Sequence, residues 1–133
     1  ILQLGNWFRF SLVAILPIGN CMKTYSLGEF EEIVLLTVGV LYNEAYGVAI
    51  KDAIEERAER KVSVGALQSA LKRMEKKGYL ESRQGEANAQ RGGKPKRYYV
   101  ITAFGKLALQ QNRDVRNTLW ESIPKLALDF KLS

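Results

Sequence analysis

The sequence has no histidine and a single cysteine, Cys21, among its 133 residues. Without histidine, the chain cannot form a Ser-His-Asp triad, a Cys-His nucleophile pair or a histidine metal site. One cysteine excludes an internal disulfide framework and a four-cysteine zinc site. The phosphate-binding motifs G-x-x-x-x-G-K-[ST] and G-x-G-x-x-G are also missing. These absences predict a binding protein without a cofactor or metal, and they argue against an enzyme.

Long hydrophobic runs are scarce too. The most apolar stretch, residues 10–18, is interrupted by Ser11 and Pro17 and falls short of the roughly 20 residues that span a bilayer. We expect residues 1–21 to be a non-native or disordered extension, with Met22 as the natural start. The alternative is a short signal-peptide-like segment ending near Cys21. The rest of the chain is typical of a cytoplasmic domain with no membrane partner.

Charge is plentiful but unevenly distributed. The chain carries 20 Lys and Arg against 14 Asp and Glu, a net charge of +6. Residues 29–59 hold eight acids and two bases, whereas residues 60–97 hold eleven bases and three acids. A basic segment beside an acidic one indicates a surface that meets phosphate on one side. The alternative is an ordinary solvated surface, so the position of the charges in the fold has to decide.

Three helices are predicted first. Residues 26–29 fit the S-x-x-E capping box, with Tyr25 and Phe30 as its hydrophobic staple. The helix that follows is apolar nearly all round, so we expect one side to face a second subunit. A second helix is predicted over residues 48–60, and Ser63 caps a third that ends at Gly78. Its buried stripe comprises Leu67, Ala70, Leu71 and Met74.

The pattern then changes to strands. Residues 79–83 and 97–102 are predicted to form a hairpin whose long polar tip is basic at its far end. Thr102 caps a last helix over about residues 103–122, roughly 30 Å long, and residues 125–132 could add a short amphipathic helix. The predicted fold is mainly α with a small β-hairpin wing, a winged helix-turn-helix with a long C-terminal dimerisation helix. The winged-helix domain is expected at 22–102 and the dimerisation helix and tail at 103–133.

This order suggests binding to double-stranded DNA. An α-helix fits the major groove when its exposed face carries short polar or basic side chains, as the third helix does. The hairpin tip has four bases in residues 91–97, with glycines that let the backbone approach phosphate. The alternative is a protein–protein module in which this charge serves solubility. A Ser69–Lys72 nucleophile pair is disfavoured, because nothing would desolvate the lysine on an exposed face.

Residues 27–105 resemble the PadR-like transcriptional regulators. The matching pieces are LGEFEEIVLLTVGVL, YGVAIKDAIEE, VSVGALQSALKRMEKKGYLES and RGGKPKRYYVITAFG. The resemblance implies a homodimeric DNA-binding protein, usually a repressor, whose last helix packs on the partner. Where many members carry an aromatic residue this chain has Gln68, which can contact adenine and would change the operator. Some members also bind flat ligands between the helices of the dimer. Trp120 could line such a site, but interface packing is the commoner role and no effector is assigned.

The candidate residues form two sets. The predicted DNA-binding set lies on the third helix, its cap and the wing: Ser63, Gln68, Ser69, Lys72, Arg73, Lys76, Arg91, Lys94, Lys96 and Arg97. The predicted dimer-interface set lies on the first and last helices: Leu35, Leu36, Val40, Leu107, Val115, Leu119 and Trp120. The expected partners are a second copy of the chain and a pseudo-palindromic DNA site.

Overall fold

The computed structural model describes residues 26–85 and 95–131. The predictions for residues 1–21, for Tyr25 and for most of the hairpin tip lie outside these ranges. The helices are α1 (Glu29–Leu41), α2 (Gly47–Arg57), α3 (Val64–Lys77) and α4 (Ala103–Ser122), and the strands are β1 (Leu80–Gln84) and β2 (Arg97–Ile101). Short 3-10 turns follow α1 at Tyr42–Glu44 and α4 at Lys125–Leu128. This is the predicted order of elements.

The start of α1 differs from the sequence prediction. The helix begins at Glu29 with Gly28 as its N-cap, and Glu31, not Glu29, accepts a hydrogen bond from the Gly28 amide at 3.2 Å. The predicted Ser26–Glu29 capping box is therefore wrong by two residues. Both Glu29 and Glu31 stand in the first turn, and Glu31 is the one whose side chain is buried and able to reach back to the cap.

The α2–α3 connection is fixed by a side chain of α2. α2 ends at Arg57, three residues before the predicted end. Glu55 accepts a hydrogen bond from the Val62 amide and pairs with Lys51, each at 3.1 Å. The Val62 hydrogen bond and the nearby ammonium lower the pKa of Glu55 below its usual value. The extended residues before α3 are thereby tied to α2, which sets where α3 begins.

Both predicted ends of α3 are confirmed. Ser63 Oγ accepts a hydrogen bond from the Ala66 amide at 3.1 Å, as an N-cap should. Gly78 terminates the helix in the left-handed conformation, φ 83°, which a residue with a side chain rarely adopts. Leu67, Leu71 and Met74 are buried as predicted. The opposite side of α3 is consequently fixed toward solvent.

The hairpin packs on this helical unit. β1 and β2 are antiparallel, with Leu80 opposite Ile101 and Gln84 opposite Arg97. The segment before α2 is joined to β2 by an isolated bridge between Tyr46 and Tyr98, and the Tyr99 amide donates to the Ala45 carbonyl at 2.8 Å. This link between the start of α2 and the wing was not predicted, and it holds the base of the wing next to α2 and α3.

The core lies where all these elements meet. Its largest buried side chains come from α1, α2, α3 and the turn before β1: Val34, Leu35, Val38, Ile50, Ile54, Leu67, Leu71, Met74 and Tyr79. The assignment of Leu35 to a dimer interface is therefore wrong. Its side chain is fully buried within its own chain and has no surface left for a partner. Leu36 and Val40, by contrast, are about half exposed, at 50% and 57%.

The base of α4 is anchored to the end of α3. Thr102 caps α4 by accepting from the Gly105 amide at 3.0 Å, and its own hydroxyl donates to the Gly78 carbonyl. The Thr102 amide donates to the Tyr79 carbonyl at 3.0 Å. Gly105 packs so closely on that carbonyl that an added Cβ would overlap it. The 20-residue helix is thus fixed at its N-terminal end.

Beyond its base, α4 extends past the part of the described fold that it packs on. Phe104 and Ala108 face the core, and Val115 and Leu119 continue the same stripe at helical spacing. These two are 51% and 64% exposed, so the described part of the chain does not cover them. No helix in residues 26–85 or 95–131 combines the length and hydrophobicity that crossing a membrane would require.

We predict that Gly105→Ala lowers the free energy of unfolding by about 1–3 kcal/mol, because the methyl group must displace main chain rather than a flexible side chain. Thermal unfolding followed by circular dichroism measures the loss. Gly65→Ala is the matched control: apart from the backbone of its own helix and its chain neighbours, no atom lies within 4 Å of the added Cβ. Alanine also favours an exposed helix, so the stability of this variant should rise. Equal melting temperatures for Gly105→Ala and the unmodified protein would contradict the close packing.

Candidate nucleic-acid interface

The exposed side of α3 carries a row of polar and basic side chains. Gln68, Ser69, Lys72 and Lys76 are all exposed. At about 100° per residue, Lys72 and Lys76 lie on the side of α3 opposite the buried Leu67 and Met74. Gly65 on the same face adds no side chain, so the first turns of the helix are slender. Such a surface can approach a groove lined by base edges.

Arg73 stands at the edge of this face and is engaged on the other side. Its Nε lies 3.5 Å from Glu31, and Lys77 Nζ lies 3.1 and 3.2 Å from the two carboxylate oxygens of the same residue. The Glu31 side chain is only 9% exposed, so these cations balance a nearly buried charge. Arg73 remains 53% exposed. Its predicted DNA contact stays a prediction, but the arginine also joins α3 to the start of α1.

The base of the wing presents two adjacent cations. Lys96 Nζ lies 4.0 Å from the centre of the Tyr46 ring, a cation–π contact, and Tyr46 packs edge-on against Tyr98 at 5.7 Å between ring centres. The ammonium is thereby held over the residue that precedes α2. Since Tyr46 lies beside the N-terminal end of α2, this contact brings a wing cation next to the helix-turn-helix unit.

Arg97 is held by a different set of partners. Its Nε donates to Ser82 Oγ at 2.9 Å, and Ser82 Oγ donates to the Glu75 carboxylate of α3 at 2.8 Å. Tyr99, which pairs with Ser82 across the two strands, is 5% exposed. Burial, with the Glu75 charge second, raises the pKa of the Tyr99 phenol, so the ring stays neutral. Arg97 is therefore connected to α3 through one hydroxyl group.

A groove of about 280 Å³ lies between these elements, and Lys96 and Arg97 are among the residues that line it. It runs between the start of α2, the first turns of α3 and the base of β2. Gln68 lies along it, with its amide nitrogen close to Gly47. The lining is Tyr46, Gly47, Val48, Lys51, Val64, Leu67, Gln68, Lys96, Arg97 and Tyr99. Residues predicted separately on the helix and on the wing thus share one surface.

The other predicted contacts are distributed as follows. Ser63 is exposed at the start of α3, with its hydroxyl committed to the cap. Arg91 and Lys94 lie outside the described residues. Tyr46, Ser82 and Glu75 were not among the predicted site residues, because each is linked to the wing by a contact with a residue distant in the sequence.

Comparison with known proteins identifies the fold. The family model described as the transcriptional regulator PadR-like family matches residues 35–111, more than half of the chain. This chain belongs to the PadR-like family of transcriptional regulators. A PadR family regulator from Clostridium difficile R20291 is 31% identical, with a TM-score of 0.54 over 67% of this chain and 91% of that one. No curated protein matches the chain.

Two further PadR structures extend the likeness along the chain. A PadR-like transcription factor from Bacteroides fragilis is 25% identical, with a TM-score of 0.61 over 80% of this chain and 94% of that one. A PadR family regulator from Eggerthella lenta DSM 2243 is 22% identical and shares the fold over 94% of this chain and 96% of that one, with a TM-score of 0.56. The predicted winged helix-turn-helix fold and the resemblance to the PadR-like family are confirmed.

Proposed function

We propose that this PadR-like chain acts in the cytoplasm as a homodimeric, sequence-specific DNA-binding repressor. In this proposal α3 enters the major groove while the wing contacts the phosphate backbone or the adjacent minor groove. The observation that carries the proposal is that Gln68 of α3 lines one groove with Lys96 and Arg97 of the wing base. Lys72 and Lys76 are exposed farther along α3. Cations of both elements would neutralise neighbouring phosphates, and Gln68 and Ser69 would contact base edges.

The overhang of α4 supports the dimer. Val115 and Leu119 prolong a core-facing stripe past the body of the chain, and Trp120 is 66% exposed beside them. A groove of about 480 Å³ runs between α1 and α4, next to the exposed Leu36. A second copy packed along α4 would cover these side chains, and a twofold axis would present two α3 helices to the duplex. Leu36, Val40, Leu107, Val115, Leu119 and Trp120 remain the proposed interface.

Selection of bound fragments from random duplex DNA tests the proposal. We expect an enriched pseudo-palindrome whose half-sites are centred about 34 Å apart, one turn of B-DNA. Binding should weaken as salt rises, with a log–log slope of about −0.9 for each phosphate neutralised. Transcription in vitro from a promoter overlapping the enriched site should fall when the protein is added. Failure to retain any duplex at low salt would favour the protein–protein module instead.

A further inference from the structure

We propose that Glu75 and Ser82 are positioning residues that direct the Arg97 guanidinium at the DNA backbone and so fix the wing relative to α3. This inference rests on the proposed DNA-binding function. It concerns residues that make no DNA contact themselves. The three side chains come from three elements, α3, β1 and β2, and meet at the base of the wing.

The strand register brings two of them together. Ser82 pairs with Tyr99 and Gln84 pairs with Arg97, so Ser82 and Arg97 lie diagonally on one face of the hairpin. That face packs toward α3, since Tyr99 is buried and Ser82 is half-buried. Arg97 itself is exposed. Its stem therefore begins on the inner face of the wing while its charged end is open to solvent.

The two hydrogen bonds that join Glu75, Ser82 and Arg97 have a fixed direction. Ser82 has one hydroxyl proton, which is donated to Glu75 at 2.8 Å. Its lone pairs are then turned to Arg97, whose Nε–H they accept at 2.9 Å. Arg97 spends one of its five N–H donors in this way, and no described residue accepts from its two terminal nitrogens. Those nitrogens form the edge that binds a phosphate in bidentate geometry.

Glu75 gains a role that its charge alone would not suggest. It lies on α3 only three residues from Lys72, where a free carboxylate would repel phosphate. Instead, Glu75 accepts the hydroxyl proton of Ser82, and the same hydroxyl accepts from Arg97, so the carboxylate helps to hold the guanidinium in place. An arginine already held in place loses less side-chain freedom when it binds, and one such side chain alters affinity by about two- to tenfold. The chain of contacts would thus favour DNA binding without adding a contact to DNA.

The first test is made without DNA. In the free protein, NMR should show the Arg97 Nε–H exchanging more slowly with water than that of Arg83, which is exposed on the same hairpin. Ser82→Ala should abolish the difference, and Ser82→Thr, which keeps the hydroxyl, should preserve it. Equal exchange at Arg97 and Arg83 in the unmodified protein would overturn the proposal.

The second test measures affinity for a DNA fragment selected by the unmodified protein. Ser82→Ala should bind about two- to tenfold more weakly with an unchanged salt slope, because every cation is retained. Ser82→Thr should restore the affinity. Arg97→Ala should instead reduce the magnitude of the slope by about 0.9 for each subunit that contacts DNA. Ser122→Ala, the same change on an exposed turn of α4, should have no effect.

A double-mutant cycle separates positioning from general damage. If Ser82 acts through Arg97, Ser82→Ala should cost nothing further in an Arg97→Ala background. An equal loss in both backgrounds, or no loss in either, would overturn the proposal. Failure of the unmodified protein to bind any duplex would instead refute the proposed function, and the NMR measurement would still report on the Ser82–Arg97 contact.

Discussion

Replacing both Lys72 and Lys76 with alanine is expected to weaken DNA binding on the order of a hundredfold or more at low salt. The two lysines lie one turn apart on the exposed side of α3. In a dimer their loss removes four cations, so the log–log slope of affinity against salt should become shallower by about 3.6. Both quantities can be measured by fluorescence anisotropy with a labelled duplex across a series of salt concentrations.

A lysine-to-alanine change on another helix distinguishes the loss of a contact with DNA from the general loss of positive charge. Lys106 is an exposed lysine near the start of α4, on a different helix from Lys72 and Lys76. Lys106→Ala should leave the affinity within about twofold, since Lys106 is not on the helix that is proposed to enter the major groove. If Lys106→Ala and Lys72→Ala weakened binding equally, α3 would not be the helix that meets DNA.

The second large effect is expected at the overhanging end of α4. Leu119→Asp places a carboxylate where the proposed interface is apolar, and burying an unpaired charge there is costly. Light scattering should then report about 15.0 kDa, the mass of one chain, in place of about twice that value. DNA affinity should fall by about 10²- to 10⁴-fold, because two linked α3 helices bind far more tightly than one.

The control for this variant lies on the same helix. Thr118→Asp adds the same charge one residue away, at an exposed side chain that belongs neither to the proposed interface set nor to the lining of the groove between α1 and α4. It should leave both the mass and the DNA affinity unchanged. A mass near 15.0 kDa for the unmodified protein at micromolar concentration would refute the dimer outright.

The sequence predicted the elements whose signals are local. Ser63 and Gly78 mark the two ends of α3 because the cap and the left-handed turn each need a particular residue at one position. Thr102 marks the start of α4 for the same reason. The buried stripe of α3 was predicted equally well, since a helix with one apolar side leaves no choice of which side faces inward.

The errors arose where the choice depended on distant partners. α1 is apolar on several sides, so its pattern did not reveal that Leu35 belongs to the core and Leu36 to the surface. Two glutamates could have capped α1, and Glu31 does so, while Lys77 and Arg73 of α3 balance its charge. The Glu75–Ser82–Arg97 chain was missed for a similar reason. Serine at position 82 is an ordinary strand residue until the register sets it beside Arg97.

The contacts of Thr102 and Gly105 couple the orientation of α4 to the position of α3. Because its base is fixed to the end of α3, a rotation of α4 against α4 of the second copy in the proposed dimer would move each α3 with it. Over about 30 Å, a rotation of 5° displaces the far end by roughly 2.5 Å. In the proposed dimer, the crossing angle between the two α4 helices would therefore set the distance between the two α3 helices. That distance would determine which half-site spacings the dimer can bind.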